Sequence, residues 1–273
     1  MKTLYLDCGM GVAGDMLGAA LVELMPDPKA CIDRLNGIGI PNVTYSQSIV
    51  QRCGIMGTHL GVRVNGVEEG ELMDRMEHAH DHEHHHVHDH EHPHMHEHEH
   101  HHVHRTLGEI EAIVNGLNVS AQVRADILAV FKRIAEAESH VHGRPVSDVH
   151  FHEVGAMDAI ADIAAACSLI EMLAPDEIAV SPVRVGSGMV RCAHGLLPVP
   201  APATAYLLKD VPIFAGDVSG ELCTPTGAAL LTHFANRFGT MPLMRVRAIG
   251  YGMGTKVFPD MPGCVRALWG ITE

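Results

Sequence analysis

The chain has 273 residues, enough for one large domain or two small ones, and its 47% hydrophobic content is that of an ordinary globular core. A formal charge of −14 excludes a nucleic-acid or anionic-membrane partner, since both demand a positive surface. Half of that charge is local: Glu77, Asp81, Glu83, Asp89, Glu91, Glu97 and Glu99 occupy a stretch without Lys or Arg. Seven cysteines, an odd number with no Cys-x-x-Cys pair, fit reduced thiols. Asp7 interrupts the apolar run of any secretion signal, and no segment reaches the ~18 apolar residues of a membrane span, so a cytoplasmic protein is expected.

In chain order, Thr3 to Leu6 reads as a strand, followed by a glycine loop and a helix from about Ala13 to Leu24 that Pro26 and Pro28 stop. A second helix covers about Lys29 to Leu35. Runs rich in Val, Thr, Tyr and Ile, Val43 to Arg52 and Thr58 to Val64, read as paired strands closed by the turn signal Asn65-Gly66. From Val67 to Arg105 there is no apolar periodicity, so ordering that backbone has nothing to offset its entropy cost. Helical spacing resumes over Thr106 to Leu117 and Ser120 to Ser139, the latter with Val123, Ile127, Val130 and Ile134 on one side. Then come a helix over Gly155 to Leu173, strands near Ile178 to Val180 and Pro182 to Val185, and a proline-rich loop. Helices near Ala201 to Leu208 and Pro225 to Phe238 and strands at Leu243 to Ile249 and Cys264 to Trp269 complete the chain. Strands interleaved with helices predict a mixed α/β (α+β) fold, with 1–67 and 106–273 as two parts of an α/β domain and 68–105 as a disordered insertion.

That insertion holds 16 of the 23 histidines: His78, His80, His82, His84, His85, His86, His88, His90, His92, His94, His96, His98, His100, His101, His102 and His104. Neutral imidazoles suit Ni, Cu and Zn, and a flexible chain can wrap several around one ion. Closed zinc sites usually add thiolates that the tract lacks. Loose ligands collect metal and do not hold reactive geometry, so a storage or delivery role is expected. A solvated low-complexity linker is the bland alternative.

Gly9, Gly11 and Gly14 form Gly-x-Gly-x-x-Gly between strand and helix, where backbone amides can bind phosphate. A dinucleotide fold needs a second strand about 20 residues on, and that region reads as helix. Asp7 and Asp15 flank the loop and repel a bare phosphate, so either a metal-bridged phosphate or a tightly packed turn accounts for it. Further on, His150, His152 and Glu153 precede a helix in which Asp158 and Asp162, the only charges along Val154 to Ile170, share one face. His150, His152 and Asp158 are candidate metal ligands, and His152 and Glu153 candidate acid/base groups; a solvated face is the alternative. His194 sits before a rigid Pro198–Thr204 loop and is a third candidate base. Thr224, Thr226 and Gly227 start a helix with Pro225 at its first position, which offers amides to an anion, and Lys256 in Gly250-Tyr-Gly-Met-Gly-Thr-Lys offers a charge to phosphate.

Taken in order, Leu6–Met16, the histidine tract, Phe151–Asp158, His194-Gly with Pro198–Thr204, Glu221–Gly227 and Gly250–Gly254 resemble the LarC-type nickel-insertion family of nickel-pincer-nucleotide biosynthesis. The resemblance implies that nickel is bound and inserted into pyridinium-3,5-bisthiocarboxylic acid mononucleotide, giving the cofactor of lactate racemase. It also implies a CTP-dependent cyclometallase whose C-terminal CTP-binding domain is missing here and acts as a partner. Apo lactate racemase is the expected recipient and a homo-oligomer the expected assembly. Two other readings stand beside this one: a nickel storage or carrier protein without catalysis, and a nucleotide-dependent enzyme built on the Gly9 loop.

Overall fold

The computed structural model describes residues 1–68, 105–151, 154–192 and 194–273. The tract ligands His78 to His104, together with His152 and Glu153, lie outside the described residues. The fold is mixed α/β, as the interleaving predicts.

One sheet organises the molecule. Its strands are β1 (Lys2–Asp7), β2 (Val43–Arg52), β3 (Ile55–Val64), β4 (Val67–Glu68), β5 (Glu177–Val180), β6 (Arg237–Phe238), β7 (Met244–Met253) and β8 (Cys264–Thr272), in the order β6-β5-β1-β8-β7-β3-β2 with β4 beside β3. Strands from both flanks of the insertion therefore share one ladder. The register runs antiparallel from Lys2↔Ile271 to Asp7↔Arg266 between β1 and β8, and parallel between β1 and β5. β2 and β3 pair from Val43↔Val64 to Arg52↔Ile55. β3 begins three residues earlier than its composition predicts, because Cys53 and Gly54 both take left-handed φ (48° and 79°), the conformation of a two-residue hairpin turn.

The helices are α1 (Gly14–Glu23), α2 (Pro28–Asn36), α3 (Leu107–Asn115), α4 (Ala121–His142), α5 (Met157–Leu173), α6 (Pro202–Leu207) and α7 (Pro225–Phe234). Their starts follow local chemistry. Asp27 accepts from Ala30 N (3.0 Å), Thr106 and Glu109 form a capping box, Ser120 accepts from Val123 N (3.0 Å), and Thr224 accepts from Gly227 N (3.2 Å). α7 is shorter than the expected Pro225 to Phe238. Ala235 is extended, the Asn236 side chain accepts from Ile178 N (2.7 Å), and Asn236 N donates to Ile178 O (2.8 Å), so the chain joins β5 as β6.

α1 lies across β7 and β3 because small residues let it approach: a Cβ at Gly250 or Gly252 would strike the backbone of Ala20 or Met16. α5 packs on α1 and buries Ile160, Ile163, Leu169 and Ile170. At about 1.5–3 kcal/mol for each fully buried large aliphatic side chain, that burial holds α5, and the carboxylates it carries, firmly in place. Among the described residues no helix is long and apolar enough to cross a membrane.

Candidate functional site at the carboxyl end of the central strand

β1 ends at Asp7, and parallel β5 ends beside it, so the loops that follow converge at one edge of the molecule; in open α/β sheets this is where ligands gather. Cys8 N donates to Ser181 Oγ (2.8 Å) and Arg184 N donates to Cys8 O (3.1 Å), which joins the loop after β5 to the glycine loop. Val12 N donates to Leu222 O (2.8 Å) and Thr224 N to Val12 O (3.0 Å). The glycine loop and the start of α7 are thus stitched together, two motifs more than 200 residues apart in sequence.

The glycines serve close packing here. Gly11 has φ 98°, and a Cβ on it would land on the Leu222 carbonyl; one on Gly14 would collide with the Asp162 side chain, and one on Gly227 would meet the carbonyl of Val12. Gly9 N donates to Asp7 Oδ1 (3.0 Å) and Gly11 N to Cys8 O (3.0 Å). With Val12 N also bonded, three loop amides are committed inside the protein. α2 and the antiparallel β2–β3 pair follow α1, and the parallel neighbour of β1 is β5, far along the chain, so the second strand of a dinucleotide unit is not formed.

The acids flanking the loop hold neighbouring elements. Asp7 Oδ2 accepts from Arg266 Nε (3.0 Å) and is ion-paired with its Nη2. This pairing raises the guanidinium pKa of Arg266. Asp15 Oδ2 accepts from both the amide (2.7 Å) and the hydroxyl (3.0 Å) of Thr255, and its charge also faces half-buried Arg52, whose pKa is lowered mainly by desolvation. Lys256, next in the chain, is exposed; its Nζ lies beside Gly220 and 5.2 Å from the centre of the Phe258 ring. A cleft of about 130 Å³ opens between Asp7, Gly9, Met10, Cys264 and Arg266. Burial pushes the Cys264 thiol up to about 11, and it keeps Cys8 and Cys223 protonated as well.

The structure brings Gly9, Gly11, Gly14, Asp7, Asp15, Thr224, Thr226, Gly227 and Lys256 to this edge. Asp162, expected on an open face of its helix, lies instead against Gly14 and is half-buried. Asp158 occupies the first turn of α5, half-buried. His150 is exposed in a two-residue ladder, Arg105↔Phe151 and Thr106↔His150, so the chain leaving the histidine tract passes directly beside it. His194 is exposed in the turn between two short paired strands, Met189–Cys192 and Gly195–Pro198, in a region expected to be loop. Arg266, Thr255 and Arg52 were not among the expected site residues; their only sequence signal is that isolated charges punctuate strands and a Gly-rich loop. Among the described residues no group of three or more His, Cys, Asp or Glu converges on one point.

A family described as nickel insertion protein matches residues 4–273. The chain is 45% identical to the pyridinium-3,5-bisthiocarboxylic acid mononucleotide nickel insertion protein of Clostridium acetobutylicum, an alignment covering 100% of this chain and 65% of the relative. Proteins of the same name from Clostridium kluyveri (40% identical, 100% of this chain, 63% of the relative) and Desulfitobacterium hafniense (40% identical, 94% and 55%) are similar to it as well. The chain thus spans less than two thirds of the length of these curated relatives. No solved structure matches it.

Proposed function

The chain belongs to the nickel insertion protein family, and on that premise we propose that it inserts nickel into pyridinium-3,5-bisthiocarboxylic acid mononucleotide, the molecule for which its relatives are named. The observation that carries this reading is that the family match spans residues 4–273 and that similarity to proteins of that name extends over 94% to 100% of the chain.

In the proposed sequence of events, the histidine tract in 68–105 collects Ni(II) from the cytoplasm. Nickel then passes to an ordered site drawn from His150, His152, Glu153 and Asp158, with Asp7 and Asp15 as further candidate ligands. Support for such a route is that the tract's exit strand, Arg105–Thr106, pairs with His150 and Phe151. The helix start at Thr224, Thr226 and Gly227 holds the nucleotide phosphate, with Lys256 nearby; the amides of Gly9, Gly11 and Val12, like those of Thr224 and Gly227, already donate within the protein, so the Thr226 amide and the threonine hydroxyls carry this contact. The thiocarboxylate sulfurs, softer than imidazole nitrogen, take the metal. A base, His152, Glu153 or His194, removes the pyridinium C–H proton as the nickel–carbon bond forms; the metal remains Ni(II) and no electron is transferred.

The lyase-type activity further depends, on the LarC-type resemblance, on CTP handled by the C-terminal domain of longer relatives, and its product activates lactate racemase. A homo-oligomer is part of the same proposal. The test replaces all sixteen tract histidines with asparagine in the full chain, supplied with that domain and CTP. Product formation should persist in ample nickel and fall steeply when nickel is scarce. Loss of product at every nickel concentration would make the tract the reaction site and overturn this division of labour.

A further inference from the structure

One set of metal-binding side chains lies outside the nickel ligands just proposed, although His194 among them is also a candidate base. α4 ends at His142, where Gly143 turns left-handed (φ 62°). One helical turn back, a Glu138 carboxylate oxygen lies 3.2 Å from His142 Nε2. The hairpin of Met189–Cys192 and Gly195–Pro198 brings His194 against this helix end, with its ring centroid 4.7 Å from that of His142 and the rings tilted by 39°. Neighbouring His140 faces another way and stacks on Tyr206 at 4.5 Å.

We propose that His142 and His194 together bind one divalent transition-metal ion, with Glu138 behind His142 as its positioning residue. A carboxylate that accepts Nε2–H fixes the imidazole tautomer and turns Nδ1 outward as the donor, the arrangement usual behind metal-bound histidines. Metal–nitrogen bonds of about 2.0–2.1 Å put two imidazole donors roughly 3–4 Å apart, a separation that small ring rotations reach from adjacent rings. The partial negative charge at the end of a 22-residue helix also favours a cation here. Two nitrogen donors with no thiolate suit nickel, copper or zinc. Because only two protein ligands are used, most coordination positions stay open to an incoming ligand, as a hand-over site requires and a closed structural site does not. The hairpin also lies along Gly220–Glu221, the segment leading to the α7 start.

The metal's identity as nickel rests on the function proposed above; the existence of the site does not. The test uses the full chain with its sixteen tract histidines, and His150 and His152 of the nickel site proposed above, replaced by asparagine, dialysed against Ni²⁺ without the mononucleotide. One bound nickel per chain is expected. His142→Ala and His194→Ala should each weaken it at least tenfold, Glu138→Gln about tenfold, and His140→Ala should leave it unchanged. Should a variant fail to fold, paramagnetic Ni²⁺ added to the parent must broaden the ring signals of His142 and His194 first. Unchanged affinity in folded His142→Ala and His194→Ala variants, or first broadening at other histidines, would overturn the site. Because binding is read without substrate, its failure leaves nickel insertion standing, and a failed insertion assay leaves the site standing.

Discussion

Asp15 at the start of α1 accepts two hydrogen bonds from Thr255, one from its amide at 2.7 Å and one from its hydroxyl at 3.0 Å. A single carboxylate thereby ties the glycine-loop helix to the segment that carries Lys256. Asp15→Ala strands the Thr255 amide, which at a half-buried position costs about 1–3 kcal/mol. Urea unfolding should show that loss, and limited proteolysis should cut faster within 254–263. Asp15→Asn, which keeps one acceptor, should lose less. Equal stability of Asp15→Ala and the parent would contradict the assignment.

Gly11 and Gly39 both have positive φ, 98° and 82°, but differ in surroundings. A Cβ at Gly39 meets nothing within 4 Å, whereas one at Gly11 strikes the Leu222 carbonyl that accepts from Val12 N. Gly39→Ala is expected to cost only the left-handed strain, about 1–2 kcal/mol. Gly11→Ala adds a backbone clash at the junction of two motifs and should cost more than about 4 kcal/mol, read as loss of soluble folded protein. Comparable unfolding midpoints for the two variants would show that the loop can yield.

The cysteines predict a pH response. All seven are free, with Cys53 exposed, Cys192 partly exposed and the others buried. Iodoacetamide at pH 8 should modify Cys53 and Cys192, as counted by mass spectrometry, and spare Cys264. In the folded chain the Cys264 thiol keeps its proton up to about 11, whereas an unfolded thiol releases it near 8.5. The sign follows directly: the stabilisation is fully present below about 8.5 and is lost as pH rises toward about 11. A Cys264→Ala chain should lose less stability over that window than the parent, and a steeper loss would rule out the buried thiol as a cause.

Thr106 closes a capping box next to the end of the histidine tract: its hydroxyl accepts from Glu109 N (3.3 Å), and Glu109 Oε2 accepts from Thr106 N (2.7 Å). The Thr106 amide, and the Thr106 hydroxyl that donates to the same carboxylate oxygen (2.9 Å), lower the Glu109 pKa. Thr106→Ala should cost about 1 kcal/mol and loosen the Arg105↔Phe151 ladder. Hydrogen exchange at Thr106 and Phe151 would report it, and unaltered protection would detach the cap from the ladder.

Much of this architecture is readable locally. The β2 span matches its Val/Thr/Tyr/Ile run, and the starts of α2, α3, α4 and α7 follow from Asp27, Thr106, Ser120 and Thr224, because capping is a matter of a few adjacent residues. What escapes local reading depends on distant partners. α7 stops early because Asn236 finds Ile178, 58 residues back. The Met189–Cys192/Gly195–Pro198 hairpin is hidden by glycine and proline, which in isolation signal loop. Asp162 looks solvated on its own helix and is covered only when Gly14 packs on it. Arg266 acquires its partner through the β1–β8 register, 259 residues apart. The stitching of the glycine loop to Thr224 has the same origin. The motifs themselves were recognisable in sequence; that they share one edge was not.

The most direct test of the account combines this chain, Ni²⁺, pyridinium-3,5-bisthiocarboxylic acid mononucleotide and CTP, with and without the C-terminal domain of a longer relative, and follows the nucleotide by mass spectrometry. The account predicts a nickel adduct lacking one proton at the pyridinium carbon, able to activate apo lactate racemase, only when that domain is present. Adduct formed by this chain alone would contradict the assigned division between nickel handling and CTP chemistry, and no adduct in the complete mixture would contradict nickel insertion itself.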